Sequence, residues 1–227
     1  MAKAFDEMGE IGKKPIIAQI GGFRPEDNIK SWFGGNFLLN NINDWPKNEN
    51  GLMIPVLQIA IDELLQKIKY FNDIKLIQIF LDSVELPLNG PVKNGNKWLI
   101  KFYDSIENLT KVSSPAPVKI YKEFQIKWII GDTNYSCREE SWNFVDLNEV
   151  NDDQELTEQF FDKFIRYYQT KIHGYASYIQ SPCLDNLNFV LQISSEEKPN
   201  FMIANNGKLY IGYNYKENEW FLNCDCY

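Results

Sequence analysis

The tetrapeptide VLQI occupies residues 56–59 and recurs at residues 190–193. A second apolar run follows each copy, KLIQI at 75–79 and KLYI at 208–211, so the two spacings are 19 and 18 positions. A glycine turn precedes each copy, Gly34-Gly35 in the first and Gly174-Tyr175 in the second. Self-similarity of this kind indicates internal duplication, although four identical residues can also arise by chance in a chain rich in Leu and Ile. We predict two related sheet units, at about 15–131 and 155–227, within a single domain spanning 1–227.

The repeat also bears on secondary structure around residue 60. Apolar residues at Leu57, Ile61, Leu64 and Ile68 have helical spacing, which by itself predicts one long helix. The second copy cannot form such a helix, because Pro199 follows within a few residues. By analogy, we predict a strand over 56–60 and a helix over 62–70.

Further elements follow from composition. Residues 97–103 and 118–130 are rich in β-branched and aromatic side chains and are predicted to be strands. A helix is predicted from about Thr157 to Ile172, with aromatic residues on one face and Gly174 as its C-cap. The expected fold class is α+β, with mainly antiparallel sheets, an internal duplication and a few packing helices.

The composition excludes several classes of protein. Of 227 residues, 44% are hydrophobic and 15% aromatic, which excludes a disordered chain. No apolar run has the length of a signal peptide or reaches the roughly 20 residues of a membrane helix. We therefore expect a cytoplasmic protein whose four cysteines remain thiols.

The charge is negative and unevenly distributed. A net charge of −8 opposes binding to nucleic acid or to an anionic membrane, so a basic protein is the expected partner. The alternative is a solvated acidic loop whose last acids lie at a helix N-terminus. The candidate partner-binding residues lie between positions 139 and 158, a stretch without Lys or Arg: Glu139, Glu140, Asp146, Glu149, Asp152, Asp153, Glu155 and Glu158.

Catalytic motifs are absent from the sequence. His173 is the only histidine, and it lies near the C-terminus of a predicted helix. A cationic side chain that interacts favourably with the helix end is a simpler interpretation than a catalytic or metal-binding role. The pair Cys224 and Cys226 is spaced too closely for a zinc knuckle. We predict no catalytic residue, no metal and no cofactor. Aromatic residues that could instead line a ligand cleft, or simply fill the core, are Trp32, Phe33, Trp45, Trp98, Trp128, Trp142, Trp220 and Phe221.

Short motifs in a fixed order resemble those of the YwqG-like family of bacterial proteins of unknown function. They are SWFGG at 31–35, Trp45-Pro46, Gln58-Ile59, Gly174-Tyr175, Ile179-Gln180, VLQI at 190–193, Trp220 and Cys224-Asp225. The resemblance spans most of the chain and implies an α+β fold with internal duplication, but no established activity. Two departures are that residues 36–38 lack the family's usual proline, and that Ala204-Asn205-Asn206 stands where Trp-Gly-Asp is common.

Two functions are expected from these observations. Members of the YwqG-like family often lie in toxin gene neighbourhoods, which implies an immunity or antitoxin-like protein that binds and neutralises a cognate toxin. The alternative is a small-molecule-binding protein, or an unrecognised enzyme, with an aromatic cleft between the two sheet units. A binding module without any toxin is a third interpretation.

Overall fold

A computed structural model describes residues 7, 10–88, 90–95, 97–115, 121–141, 148–162, 165–184 and 186–226, and only the backbone of residues 138, 139, 149, 151 and 161. Its strands are β1 (Ile16–Ile20), β2 (Trp32–Phe33), β3 (Phe37–Leu39), β4 (Lys47–Asn48), β5 (Gly51–Leu52), β6 (Ile54–Ala60), β7 (Leu76–Leu81), β8 (Val92–Lys93), β9 (Trp98–Tyr103), β10 (Thr110–Val112), β11 (Phe124–Ile130), β12 (Lys171–Ile172), β13 (Asn188–Ser194), β14 (Lys208–Asn214) and β15 (Glu219–Asp225). The α-helices are α1 (Arg138–Ser141), α2 (Asn148–Asn151) and α3 (Gln154–Asp162), and 3-10 helices span Ile42–Asp44, Ile61–Glu63 and Lys69–Phe71.

Eleven strands form one antiparallel sheet in the order β8-β15-β14-β13-β12-β1-β11-β2-β6-β7-β9. Two small hairpin-like pairs, β3 with β10 and β4 with β5, lie outside it. The fold is thus mainly antiparallel sheet with few helices, as predicted. Within the described part of the chain, no helix combines the length and the apolar character required to cross a membrane.

The large sheet has an approximate two-fold arrangement. Its centre is the pairing of β1 with β11, in which Gln19 lies opposite Lys127. From there β2, β6, β7 and β9 follow β11 outward, and β12, β13, β14 and β15 follow β1 outward. We call these the first half and the second half. Because β1 precedes β2 in the chain yet lies in the second half, neither half is one continuous segment, and the boundaries 15–131 and 155–227 stay predictions.

The two halves share the details of their hydrogen bonding. Each central hairpin has its register shift at a valine, Val56 in β6 and Val190 in β13. Two positions after each valine, a buried glutamine, Gln58 or Gln192, hydrogen-bonds backbone groups of segments outside the hairpin. A side-chain hydroxyl, of Ser31 or Thr170, accepts a hydrogen bond from the last backbone N–H of the strand. The paired bonds are Leu38 N to Gln58 Oε1 (2.9 Å) and Ser177 N to Gln192 Oε1 (2.9 Å); Gln58 Nε2 to Lys30 O (2.8 Å) and Gln192 Nε2 to Gln169 O (2.9 Å); Ala60 N to Ser31 Oγ (2.9 Å) and Ser194 N to Thr170 Oγ1 (3.1 Å).

One face of the sheet carries a hydrophobic core common to both halves. Val56, Ile59, Val190 and Ile193 all belong to it and are almost completely buried. The opposite face differs between the halves. In the first half it is apolar, with Trp32, Phe37, Trp45, Leu76 and Phe80 packed under the β3–β10 pair.

In the second half the same face is polar. The positions of Trp32 and Leu76 are taken by Lys171 and Lys208, as the matching strand registers show, and both lysines are buried. An apolar cluster on this side of the second half contains Tyr178 and Tyr210. The conserved backbone frame therefore supports two different fillings, one apolar and one cationic.

Several predicted elements need correction. The helix expected from Thr157 to Ile172 is wrong in its second part, because α3 ends at Asp162 and β12 occupies Lys171–Ile172. The aromatic residues that gave the helical pattern are followed by a strand that completes the sheet beside β1. Gly174 consequently follows a strand and caps no helix.

The helix predicted over 62–70 is also wrong. Only two 3-10 helices are present there, and residues 64–68 are not helical. The strand predicted over 56–60 is confirmed by β6. The sequence alignment of KLYI with KLIQI is off by one position. Gln58 pairs with Gln78 in the first half, and Gln192 pairs with Tyr210 in the second. The structural counterpart of Lys208 is therefore Leu76 and not Lys75.

Candidate functional site

A cleft of about 1010 Å³ lies between the two halves. One wall is the connection between β6 and β7, and the other is the connection between β12 and β13. We call it the inter-half cleft. The described residues that line it are Lys13, Lys67, Ile68, Lys69, Tyr70, Ser136, Glu140, His173, Gly174, Tyr175, Ala176, Tyr178, Pro182, Leu184, Asn186, Leu187, Asn188 and Phe189.

His173 enters this cleft from a strained backbone. It directly follows β12 and has φ +62°, a conformation that favours glycine. Its counterpart in the first half is Gly34, since the two N–H groups donate to the carbonyls of Val190 and Val56 respectively. Gly34 has φ +57°. A histidine thus occupies a turn that the other half builds with glycine, and such strain is common at functional sites.

The surroundings of the two turns explain why only one is accessible. A Cβ on Gly34 would lie 2.7 Å from Cβ of Tyr121 and 2.9 Å from the Lys122 carbonyl oxygen, so that turn is closely covered. The turn at His173 lines the cleft instead. Asn134 holds it from behind, because its Oδ1 accepts from Tyr175 N at 3.3 Å and its Nδ2 donates to Tyr175 O at 3.2 Å.

Among the described residues, the lining of the cleft is cationic although the protein is acidic. Lys13, Lys67 and Lys69 line it together with His173. Burial lowers the pKa of the His173 imidazole below its ordinary value, and the charges of Lys13 and Lys69 lower it further. Burial, followed by the charge of Lys69, also lowers the pKa of Lys13. These shifts are the response expected where positive charges face one another across a partly desolvated space.

Glu140 is the one acid among the described lining residues, and its oxygens are already engaged. Oε2 accepts from Ser136 Oγ at 2.7 Å and Oε1 accepts from Tyr178 OH at 3.0 Å. The carboxylate therefore orients a wall of the cleft. Its single negative charge opposes the lowering of the Lys13 pKa but is outnumbered by the three lysines.

Two of these lysines, Lys13 and Lys69, make cation–π contacts with tyrosine rings. Lys13 Nζ lies 4.2 Å from the ring centroid of Tyr175. Lys69 Nζ lies 4.9 Å from the centroid of Tyr70 and 5.0 Å from that of Tyr215, and these two rings stack at 5.8 Å. Cation–π contacts hold the ammonium groups in place without cancelling their charge. The cleft thus presents fixed cations beside aromatic faces.

A family model described as "Domain of unknown function (DUF1963)" matches residues 31–216. The chain belongs to the DUF1963 family. The matched segment begins just before β2 and ends just after β14, so it includes both central hairpins and every lining residue of the cleft except Lys13. A search of curated proteins finds no match.

The structure describes the side chains of five of the eight acidic residues singled out from the sequence of this DUF1963 chain. Asp146 lies outside the described residues, and Glu139 and Glu149 are described only as backbone of α1 and α2. Glu140 faces the inter-half cleft. The four exposed acids lie on α3 or just before it: Asp152, Asp153, Glu155 and Glu158.

Asp153 has a structural role among these acids. Its Oδ1 accepts from the backbone N–H groups of Glu155 at 2.9 Å and Leu156 at 3.1 Å, which is the geometry of a helix N-cap. The predicted placement of the last acids at a helix N-terminus agrees with this contact. The other three exposed acids extend into solvent.

The described tryptophans suggested as cleft residues do not line the inter-half cleft of this DUF1963 chain. Trp32, Trp45, Trp98 and Trp128 are buried in the core, and Trp220 packs against it. Trp142 lies outside the described residues. Among the described residues, no group of three or more His, Cys, Asp and Glu side chains could hold a metal ion.

The cleft residues that sequence reasoning missed are the three lysines and Tyr70. One signal was present in the sequence. Aligning the two glycine turns places Gly34-Gly35 opposite His173-Gly174, so a histidine replaces a turn glycine in the second copy only. The interpretation of His173 as a cation at a helix C-terminus is wrong, because it follows a strand.

Proposed function

We propose that this DUF1963 chain binds a small anionic molecule in the inter-half cleft. The supporting observation is the convergence of Lys13, Lys67, Lys69 and His173 on one cleft whose only described acid is already hydrogen bonded. In a protein of net charge −8, cations are not expected to gather by chance. A bound anion would offset their mutual repulsion.

The lining also indicates the shape of the ligand. Tyr70, Tyr175, Tyr178 and Phe189 supply aromatic faces, and Asn186 and Asn188 supply amides for hydrogen bonding. Aromatic walls with a few polar groups are typical of sites for planar ligands. We infer a ligand that combines a phosphate or carboxylate with a planar ring system.

The test is titration calorimetry with three probes: inorganic pyrophosphate, adenosine and adenosine monophosphate. We expect the monophosphate to bind more tightly than pyrophosphate, and adenosine to show no measurable binding. The variant Lys13→Gln/Lys69→Gln should weaken binding about tenfold or more, since each lost charge-assisted hydrogen bond is worth about 1.5 kcal/mol or more.

The matched control is Lys14→Gln/Lys216→Gln, which removes the same charge from exposed lysines outside the cleft. It should leave the dissociation constants within about twofold. Failure of both anions to bind would refute the proposal. An equal loss in the control variant would reduce it to nonspecific attraction.

A second candidate function is recognition of a basic protein. Asp152, Glu155 and Glu158 are exposed near one end of the described α3, and this local charge supports the hypothesis that the chain is a bacterial, cytoplasmic immunity protein for a basic toxin. Within the DUF1963 family, the ordered motifs support placing it among the YwqG-like members. Co-expression with the product of the adjacent gene, scored by growth and co-purification, tests this function.

Charge reversal then tests the acidic surface itself. Asp152→Lys/Glu158→Lys spares the N-cap Asp153 and should slow association about tenfold at low salt. Asp73→Lys/Glu107→Lys makes the same change at exposed acids elsewhere and should have little effect. Equal rates for the two variants would remove α3 from the interface.

A further inference from the structure

The polar face of the second half contains a pair of buried amines. Lys171 Nζ donates to Ser177 Oγ at 2.8 Å, and Lys208 Nζ donates to the Ser177 carbonyl oxygen at 2.8 Å. The two lysines thus approach one serine from two directions. Lys171 has no exposed surface and Lys208 is 4% exposed.

The fold itself does not require these amines. The corresponding positions in the first half are Trp32 and Leu76, which pack in an apolar cluster on the same hydrogen-bonded frame. Burying two ammonium groups is costly, whereas the apolar filling is not. Their presence is therefore a property of the second half that its architecture leaves unexplained.

The electrostatic consequence is a pair of unusually acidic ammonium groups. Burial, then the charge of Lys208, lowers the pKa of Lys171 to about 7. Burial lowers the pKa of Lys208 to about 8, with Asp225 opposing this shift and Arg166 adding to it. Each lowered pKa increases the uncharged fraction of the amine near neutral pH. An uncharged amine is the nucleophilic form.

Lys208, unlike Lys171, borders a cavity. Its volume is about 310 Å³, and its described lining is Tyr168, Gln169, Ser194, Ser195, Glu196, Asn206, Gly207 and Lys208. The Tyr168 ring covers the amine, with its centroid 4.1 Å from Nζ. This Lys208 cavity is separate from the inter-half cleft, because the two share no lining residue.

The same cavity holds a carboxyl group suited to proton transfer. Burial raises the pKa of Glu196, while hydrogen bonds from Thr170 oppose the shift. Thr170 Oγ1 donates to Glu196 Oε1 at 3.1 Å, which orients the carboxyl group. A nucleophilic amine and a carboxyl of raised pKa in one cavity form an acid–base pair whose pKa values are moved toward neutrality.

We propose that Lys208 forms a Schiff base with a small polar aldehyde or ketone that enters the Lys208 cavity, with Glu196 as the proton donor. The Lys208 nitrogen attacks the carbonyl carbon and forms a C–N bond. The carbonyl oxygen takes one proton from Glu196 and one from the amine and departs as water, leaving a C=N bond. The nitrogen's second proton returns to Glu196, so atoms and protons balance.

The size and lining of the cavity define the carbonyl compound. A volume of about 310 Å³ is near the lower limit for ligand pockets, which excludes large ligands. Ser194, Ser195 and Asn206 supply hydroxyl and amide groups, so a hydroxylated or carboxylated compound fits better than an apolar one. Glyoxylate and propanal are the matched probes for this distinction.

The experiment is reductive trapping on the full chain at pH 7.5. Cyanoborohydride supplies the hydride that converts the imine to a stable secondary amine, and peptide mass spectrometry locates the added mass. We expect glyoxylate to label Lys208 at least ten times faster than the exposed Lys216, and faster than propanal does. Labelling of Lys208 no faster than Lys216 would overturn the proposal.

One variant tests the role assigned to Glu196. Glu196→Gln should slow labelling about tenfold without moving the pH–rate profile for labelling. Lys75→Met, at an exposed lysine, is the control and should leave the rate and the profile unchanged. The charges of Asp225 and Arg166 act on the pKa of Lys208, and Glu196 lines the same cavity, so each profile is compared with that of the unaltered chain.

Folding and independence are checked in the same series. Thermal melting establishes that each variant is folded, and the unaltered chain decides the proposal even if Glu196→Gln is not. The cleft variant Lys13→Gln/Lys69→Gln should leave Lys208 labelling unchanged. Loss of labelling in that variant would contradict a separate site.

Discussion

The two halves of the sheet share their backbone hydrogen-bonding pattern but differ in the side chains packed on the face opposite the shared core. Gln58 and Gln192 make matching backbone contacts, and both central hairpins shift register at a valine. On the face opposite the shared core, however, the first half is apolar and the second half contains Lys171 and Lys208. The same strand arrangement therefore accommodates apolar side chains in one half and buried lysines in the other.

The turns after β2 and β12 repeat this difference. The Gly34 turn is covered by residues 121–123, whereas the His173 turn opens into the inter-half cleft. The first half is thus the more regular and closed of the two, and strained or buried polar groups are concentrated in the second. Natural proteins place such local conflicts at functional sites. The comparison predicts that substitutions at positions of the hydrogen-bonded arrangement common to both halves lower stability by similar amounts.

The largest expected effect comes from the tryptophans at matching positions of β9 and β15. Trp98 lies opposite Leu81 and is fully buried, and Trp220 lies opposite Tyr213 and is half-buried. Trp98→Ala should cost about 4 kcal/mol in free energy of unfolding, and Trp220→Ala about 2 kcal/mol. Urea denaturation measures both. Equal losses would contradict the view that the first half is the more tightly packed.

Substitution of the buried glutamines tests whether matching hydrogen bonds contribute equally to the free energy of unfolding in the two halves. Gln58→Leu and Gln192→Leu each leave a backbone N–H and a backbone carbonyl without their side-chain partner. We expect each substitution to cost about 3 kcal/mol, because buried unpaired groups are expensive. Urea denaturation should give values within about 1 kcal/mol of each other. A large loss in only one half would break the comparison.

Exchanging the turn residues should have opposite effects on stability. Gly34→His places a Cβ 2.7 Å from Tyr121 at positive φ and should cost about 3 kcal/mol in free energy of unfolding. His173→Gly relieves the same strain and should stabilise the chain by about 1 kcal/mol. Thermal melting with calorimetry measures both changes. Destabilisation by His173→Gly would show that the histidine is a packing residue.

The pH dependence of stability tests the buried lysines. A lowered pKa means that the unfolded chain binds more protons than the folded chain between about pH 7 and the ordinary lysine pKa of 10.5, so stability rises with pH across that window. Lys171→Met should reduce this slope by about 1 kcal/mol per pH unit. Urea denaturation at pH 7, 8 and 9 measures it. Its matched control, Lys75→Met at an exposed lysine, should leave the slope unchanged.

The sequence by itself determined the repeated architecture. Alternating apolar residues, turn glycines and the recurring VLQI are local patterns, and local patterns specify strands and hairpins. They predicted the strand at β6 and the antiparallel class correctly. They failed at the described residues 165–172, where an apolar pattern of helical spacing precedes a strand, because pairing with β1 and β13 overrides helical propensity.

Only the tertiary structure decided where the chemistry lies. The inter-half cleft joins Lys13, Lys69 and His173, which are far apart in the chain, and no spacing rule connects them. Lys208 resembles exposed Lys75 in a sequence alignment, yet the strand register sets it against buried Leu76. A one-residue shift of register moves a side chain to the opposite face of a sheet, and so strand pairing, rather than residue type, places this amine in the interior.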